Sequence, residues 1–238
     1  VRINGHKAIF SKTLNMKNPI VALFTLTLLL PFNTFGQSVE LKHDQLEAVG
    51  VSMSLEKLDG KRVVQVVKDS AVKADDEPTF VKLKGTHFKD GSIEVDVLSK
   101  LRTDAPAHAR GFIGVAFRIN DNNSKFECIY IRPTNGRADD QIRRNHSVQY
   151  FSYPDFKFNR LRKESPEKYE SYADMGLNEW IKMKIIVDGT QARLFLNDNR
   201  EPSLIVNDLK LGADQSGGIG LFVDIGTEGY FTNLKITR

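Results

Sequence analysis

The stretch GFIGVAFRINDNNSKFECIYIRP, residues 111–133, decides the fold. Its first part places Ile113, Val115 and Phe117 at every second position, the spacing that puts side chains on one face of a β-strand. The polar turn NDNNSK separates this run from a second apolar run, FECIYI. Two such runs joined by a short polar turn predict an antiparallel hairpin.

The same alternation continues along most of the chain. A turn at Asp188 and Gly189 joins the runs EWIKMKIIV and QARLFLN into a second predicted hairpin. Other predicted strands are GVSMSLEK, KRVVQVVKD, TFVKLKG, GSIEVDVLSK, HSVQYFS, PSLIVNDL, GGIGLFVD and GYFTNLKIT. We expect about eleven to thirteen short strands and no long helix, which is typical of an all-β, two-sheet jelly-roll sandwich.

The N-terminal region has the pattern of a secretory signal peptide. Met16 and Lys17 precede an apolar core over residues 20–32, and Thr34 and Gly36 are small residues placed before a cut. A membrane anchor is the alternative, but the apolar core is short for a bilayer span. We therefore expect an exported protein, periplasmic or extracellular, without a membrane span after cleavage.

Removal of the N-terminal residues would give the mature chain a different net charge from the full chain. We expect residues 1–15 to be untranslated or removed, 16–36 to be the signal peptide and 38–238 to form one β-sandwich domain. The full chain has 34 basic and 30 acidic residues, and residues 1–36 hold four of the basic residues and no acid. The mature chain is therefore neutral, and we expect no nucleic-acid partner.

The chain has a single cysteine, Cys128. An intrachain disulfide is therefore impossible, although export would allow one. Because Cys128 lies in the apolar run FECIYI, we interpret it as a small buried hydrophobic residue and not as a nucleophile.

Several segments together resemble a known superfamily. FKDGSIEVDVL, GFIGVAFRI, YIRPTNG and the closing GGIGLFVDIGTEGYFTNLKI are similar to the concanavalin A-like lectin/glucanase superfamily. More narrowly, residues 79–238 resemble bacterial exported laminin-G-like and 3-keto-disaccharide hydrolase domains (DUF1080-like). The resemblance implies a jelly-roll fold and a carbohydrate ligand. It implies no single activity, because the superfamily contains lectins, hydrolases, lyases and adhesion modules.

A pair of carboxylates on one strand is the first candidate site. Glu94 and Asp96 lie two residues apart, so they share a face of the predicted strand. The β-glucanase branch of the superfamily has a third acid after such a pair, whereas this chain has Leu98 and Ser99. The departure argues against that catalytic machinery, and we interpret the pair as an ordinary polar strand face.

The segment 132–164 is the second candidate site, since it is rich in arginine and aromatic residues. His146 could exchange protons near neutral pH, and Tyr150 could assist it. Arginine forks suit sugar hydroxyls, uronates or sulfates, and tyrosine rings can stack on sugars. The candidate binding residues are Arg118, Arg132, Asn135, Arg137, Asp139, Arg143, Arg144, Gln149 and Tyr153. The alternative is a long loop whose charges only brace one another.

No cofactor is expected, although a structural calcium ion is an alternative. Asp121, Asn122 and Asn123 form an oxygen-rich turn, and Asp224 precedes the last strand. Their spacing does not match a known calcium loop, and turns are rich in such residues anyway. The histidines show no spacing that predicts a transition-metal site. The resemblance places Trp180 in the core, so we do not interpret it as a sugar platform.

Three functions remain open from the sequence. The first is an exported, non-catalytic carbohydrate-binding domain of unknown oligomeric state. The second is a glycan-cleaving hydrolase or lyase that uses the 132–150 segment, and the third is a structural or adhesion module. The deciding observation is whether Arg132, Arg143, His146 and Tyr150 line one pocket together with Glu94 or Arg118.

Overall fold

Alternating apolar residues build fifteen β-strands in the computed structural model, which describes residues 1, 2, 5 and 36–238. The strands are β1 (Gln37–Ser38), β2 (Leu46–Val49), β3 (Val51–Leu58), β4 (Lys61–Lys68), β5 (Phe80–Leu83), β6 (Gly91–Leu101), β7 (Ile113–Ile119), β8 (Phe126–Ile131), β9 (Val148–Tyr153), β10 (Glu170–Ser171), β11 (Ile181–Asp188), β12 (Gln191–Leu196), β13 (Leu204–Val206), β14 (Gly218–Val223) and β15 (Thr227–Thr237). The helices are a 3-10 turn (His43–Gln45), α1 (Pro133–Gly136), α2 (Gln141–Asn145) and α3 (Phe158–Glu164).

The chain divides into two compact units, Val1–Asn33 and Thr34–Arg238. In the first unit, Val1, Arg2 and Gly5 are in no regular secondary structure. The predicted signal peptide, 16–36, lies outside the described residues except for Gly36. Over the described ranges, no helix combines the length and the apolar character needed to cross a membrane.

Two antiparallel sheets form the second unit, so the predicted all-β sandwich is confirmed. One sheet has the order β13-β12-β11-β6-β15-β4-β3, with β1 also paired to β15. The other sheet has the order β10-β9-β8-β7-β14-β5-β2. The hairpin predicted from residues 111–133 is confirmed, because β7 pairs with β8 in register from Ile113 opposite Ile131.

The two faces of the second sheet have different surroundings. A Cβ added to Gly229 of β15 would meet Val223 and Ile113, so these side chains face the first sheet. Because side chains alternate along a strand, Tyr130 and Phe222 lie on the opposite, outer face. Both are nevertheless buried. The outer face must therefore be covered by other parts of the chain.

The covering elements come from segments that lie between the predicted strands. Residues 132–147 hold α1 and α2, where Pro133 starts the first helix and the Asp140 side chain caps the second. In α3, Leu161 is buried and the Phe158 amide donates to Asp76 in the 69–79 segment. Residues 132–147 are therefore not one continuous irregular loop, because these local caps start two short helices.

Candidate functional site

A pocket of about 280 Å³ opens on the outer face of the second sheet. It is lined by the segment 75–76, the segment 108–112, the end of β8, α1, α2, His146 and α3. Of the predicted site residues, Arg132, Asn135, Arg143 and His146 line it together. Its volume is at the small end of ligand pockets, about 300–1,000 Å³, so it has room for roughly one sugar ring.

Arg132 forms the floor of the pocket and is almost fully buried. Its Nη1 donates to Glu170 at 3.2 Å and to the His146 carbonyl at 3.1 Å. Its Nη2 donates to the Tyr130 hydroxyl at 2.8 Å and to Gln149 Oε1 at 3.0 Å. Both terminal nitrogens of Arg132 are thus engaged within the protein, and so is the side-chain amide of Gln149, whose Nε2 donates to the carbonyls of Tyr150 and Tyr169.

Glu170 pairs with two arginines. Arg162 donates to both of its carboxylate oxygens, and Arg132 lies 3.2 Å from Oε1. Burial works to raise the pKa of Glu170, but the hydrogen bonds from Arg162 and the charge of Arg132 outweigh it and hold that pKa below its usual range. Glu170 is therefore ionised at neutral pH.

His146 stands beside this carboxylate. Its Nδ1 lies 3.0 Å from Glu170 Oε2 and is buried without a hydrogen-bond partner among the described residues, so the contact is electrostatic. Burial lowers the pKa of His146, although the Glu170 charge opposes this, so the imidazole is neutral at pH 7. A facing carboxylate favours the tautomer with the proton on Nδ1, which leaves the Nε2 lone pair available as a base.

Asp76 is the acidic group that the sequence did not reveal. It is 1% exposed, its φ of 53° lies in the left-handed region, and its Oδ2 accepts from the Phe158 amide at 2.7 Å. Burial raises the pKa of Asp76 to about 7, and the charge of Asp224 adds to the rise. Strained backbone at such a residue often marks a functional site. Nothing in the sequence KADDEP shows which of its acids is buried, so Asp76 could not be singled out before folding was known.

A buried ion pair fixes the backbone of Asp76. The Asp76 amide donates to Asp224 Oδ2 at 2.9 Å, and Asp224 Oδ1 accepts from Lys68 Nζ at 2.5 Å. Burial raises the pKa of Asp224, while the Lys68 charge lowers it. Because Asp224 is engaged in this way, its oxygens are occupied by protein groups.

Two arginines at the pocket are held more loosely. The guanidinium of Arg143 makes only long hydrogen bonds in the described chain, 3.4 Å to Asn135 Oδ1 and 3.5 Å to the Thr134 carbonyl. Arg110, which the sequence also missed, donates from Nη1 to the carbonyls of Ala107 and Ala109, both at 2.8 Å. Neither guanidinium forms an ion pair within the part of the chain that the structure describes.

Tyr150 and Arg118 lie away from this pocket. Successive residues of β9 point to opposite faces, so Tyr150 faces the core, where its hydroxyl donates to Glu127 at 2.5 Å and accepts from the Lys210 amide at 2.9 Å. Arg118 is fully buried at the far end of β7, where a register shift and a φ of 55° mark a β-bulge. It donates to the carbonyls of Lys89, Gly189 and Gly212.

Four other predicted binding residues do not line the pocket. Arg137 makes bidentate contacts with Asp174 and Glu179, whose hydrogen bonds raise its pKa. Arg144 lies 4.9 Å from the Tyr172 ring and donates to its hydroxyl at 2.8 Å. Tyr153 stacks on Phe126 at 5.1 Å, and Asp139 is exposed. Arg137 and Arg144 therefore match the bracing interpretation.

The remaining candidates are engaged elsewhere. Glu94 lies 3.1 Å from Lys184 on the first sheet, far in the fold from the pocket. In the predicted calcium turn, Asn122 accepts from Ser124 and Asn123 accepts from Lys82. Among the described residues, no group of three or more His, Cys, Asp or Glu side chains is placed to hold a metal ion. Trp180 is only partly buried, in a small second cluster with Val63 and Tyr230 instead of the main core.

The chain is similar to proteins of known fold and family. A family model described as a 3-keto-alpha-glucoside-1,2-lyase-like domain matches residues 43–237. The carbohydrate binding module CBM66 from Bacillus subtilis has 14% identity and a TM-score of 0.55, with 82% of this chain and 96% of that chain covered. A protein with a galectin-like fold from Bacillus subtilis has 11% identity and a TM-score of 0.51, with 82% and 90% covered. No curated protein matches the chain in sequence at a significant level.

Proposed function

The chain belongs to the 3-keto-alpha-glucoside-1,2-lyase-like domain family, and from this premise we propose that it is an exported lyase that cleaves a glycoside with a ketone at C3. The observation that carries the proposal is one pocket that holds a buried Asp76 and a neutral His146 beside Glu170. Two titratable groups with pKa values shifted in opposite directions are the usual sign of an acid and base pair.

The chemistry requires one base and one acid. A proton at C2 is acidic because it lies next to the C3 ketone. Its removal breaks the C2–H bond and gives an enolate, with the charge on the C3 oxygen. When the C1–O bond breaks, a C1=C2 double bond forms, the C3 carbonyl returns, and the leaving oxygen takes a proton.

In this proposal His146 Nε2 takes the proton from C2. Glu170 orients the imidazole and stabilises the imidazolium that forms, because its negative charge lies 3.0 Å from Nδ1. Asp76, whose pKa is about 7, is substantially protonated at neutral pH and gives its proton to the leaving oxygen. The arginines that line the pocket supply positive charge near the developing enolate.

Recognition of a sugar without chemistry is the second candidate. It is favoured by Phe112 and Phe158, two partly buried rings that line the same pocket and add apolar surface for a sugar ring. The Arg132 guanidinium already lies over both rings, 5.9 Å and 5.6 Å from their centroids, so a sugar would contact only the ring surface that remains. A purely recognising protein would bind a glycoside and release it unchanged.

The two candidates separate in one assay. The mature protein is incubated with methyl 3-keto-α-D-glucoside, and methanol release is followed together with the ultraviolet absorbance of the unsaturated ketone. The lyase proposal predicts both products, formed much more slowly by Asp76→Asn. Binding of the glycoside without either product would reject the lyase and leave recognition. Arg137→Gln, outside the pocket, is the matched control and should retain the wild-type rate.

A further inference from the structure

The pocket has more arginine charge than its own carboxylates neutralise. Arg110, Arg132, Arg143 and Arg162 all line it. Arg132 and Arg162 share the single carboxylate of Glu170. Arg110 and Arg143 pair with no carboxylate anywhere in the described ranges, so their charges remain uncompensated.

The acidic residues at the pocket do not remove this surplus. Asp224 is paired with Lys68 at 2.5 Å. Asp76 is held by the Phe158 amide and has a pKa of about 7, so it carries only part of a charge at neutral pH. The remaining acid, Asp75, is partly exposed and forms no ion pair with either arginine in the described ranges. Because the pocket is small, the uncompensated arginines remain close to any bound ligand.

Arg110 is fixed in a way that suits a ligand. Two backbone carbonyls, those of Ala107 and Ala109, hold its Nη1, while Nε and Nη2 make no hydrogen bond within the described chain. Burial lowers the pKa of Arg110, and the charges of Arg143 and Arg132 lower it further. A bound anion would relieve this repulsion and would occupy the free donors. A fixed guanidinium loses little entropy when it binds a planar anion.

We propose that Arg110 and Arg143 form a subsite for an anionic substituent of the ligand, so that the substrate class is an acidic glycoside carrying a carboxylate or a phosphate. This inference rests on the proposed function for the sugar in the pocket. The charge preference itself requires no turnover, and the two can therefore be tested separately.

The test compares matched ligands that differ only in charge. Binding of methyl α-D-glucuronide, methyl α-D-glucoside 6-phosphate and methyl α-D-glucoside to the mature protein is measured by calorimetry at low salt. We expect an anionic glycoside to bind at least about tenfold more tightly than the neutral one, the factor that about 1.4 kcal/mol gives. The preference should shrink as salt rises to about 0.15 M, because salt screens partly exposed charges.

Variants assign the preference to the subsite. Arg110→Gln should reduce the preference to less than about twofold, whereas Arg160→Gln, an exposed arginine paired with Glu164, should leave it unchanged. Arg143→Gln is the second variant, and thermal melting verifies that each variant folds. Inorganic phosphate alone should bind far more weakly than the sugar phosphate.

Each outcome decides the inference. Equal affinity for charged and neutral glycosides, a preference that survives in both arginine variants, or equally tight binding of free phosphate would overturn it. Elimination of the neutral 3-keto glycoside without a charge preference would reject the acidic substrate and keep the lyase. A charge preference without any elimination would keep the subsite and reject the lyase.

Discussion

Replacing Asp76 by asparagine should stabilise the protein at alkaline pH. In the folded state the pKa of Asp76 is about 7, against a value of 3.8 for the unperturbed group, chiefly because burial disfavours the charged form. Between these two values the folded state binds more protons than the unfolded state, so Asp76 makes stability fall as pH rises. This destabilisation is absent below the pKa of Asp76 in the unfolded state, and it is complete above the pKa of Asp76 in the folded state.

The magnitude follows from the size of the shift. Each pKa unit corresponds to about 1.4 kcal/mol, so ionised Asp76 costs the folded state up to about 4 kcal/mol above neutral pH. Asparagine has no charge, and its carbonyl can still accept from the Phe158 amide. We expect Asp76→Asn to raise the free energy of unfolding by about 2–4 kcal/mol at alkaline pH and by less than about 0.5 kcal/mol near pH 4.

Urea unfolding at several pH values between about 4 and 8.5 measures this difference directly. Asp75→Asn, in the adjacent and partly exposed position, is the matched control and should show no such trend. A stability difference that is independent of pH, or a loss that grows with pH, would refute the reasoning. The variant that gains stability should also lose elimination, because the same buried proton serves both.

Three further predictions test the surroundings of the site. Glu170→Gln should lower the free energy of unfolding by about 3 kcal/mol or more near neutral pH, since Arg132 stays buried without its counter-charge. Because folding lowers the pKa of Glu170, its stabilising contribution is present above the pKa of the unfolded state and is lost as the pH falls through the pKa of the folded state. Acid unfolding of the wild type and the variant measures this loss. Tyr150→Phe should cost about 1–3 kcal/mol in urea unfolding, because buried Glu127 loses the hydrogen bond to its Oε2 and keeps only the one from the Leu211 amide, while calorimetry should show unchanged glycoside binding; weakened binding at full stability would return Tyr150 to the site. Cleavage of the exported chain should fall after Gly36, which N-terminal sequencing checks, and a chain that retains residues 20–32 in the membrane would contradict the signal peptide.

The alternation of residues in β7 and β8 was enough to predict the hairpin, because apolar residues at every second position are typical of a β-strand. The segment that contains Arg132, Arg143 and His146 was also predictable, since arginines and a histidine were concentrated between two strands. The rest of the pocket was not predictable in this way. Asp76 and Arg110 are distant in sequence, and only the folded sheet brings them to the same opening.

Two of the predicted site residues, Tyr150 and Arg118, lie away from the pocket for definite physical reasons. The face of Tyr150 was ambiguous because both faces of the second sheet are buried, so hydrophobicity gave no sign of which side is the core. Arg118 was expected to bind the ligand, but at the β-bulge at its position its side chain donates to backbone carbonyls. In each case the sequence identified the strand correctly. The environment of the side chain, however, is set by segments that lie far away in sequence.

Hydrogen exchange at C2 of a 3-keto glycoside tests the central claim most directly. In deuterated water, proton NMR of methyl 3-keto-α-D-glucoside should show C2 exchange with the wild type well above the buffer rate. Asp76→Asn should retain the exchange, because the acid acts only on the leaving oxygen. His146→Asn places an amide near the position of Nδ1 and removes Nε2, so it should lose the exchange. Exchange at the buffer rate with the wild type, or undiminished exchange with His146→Asn, would contradict the account.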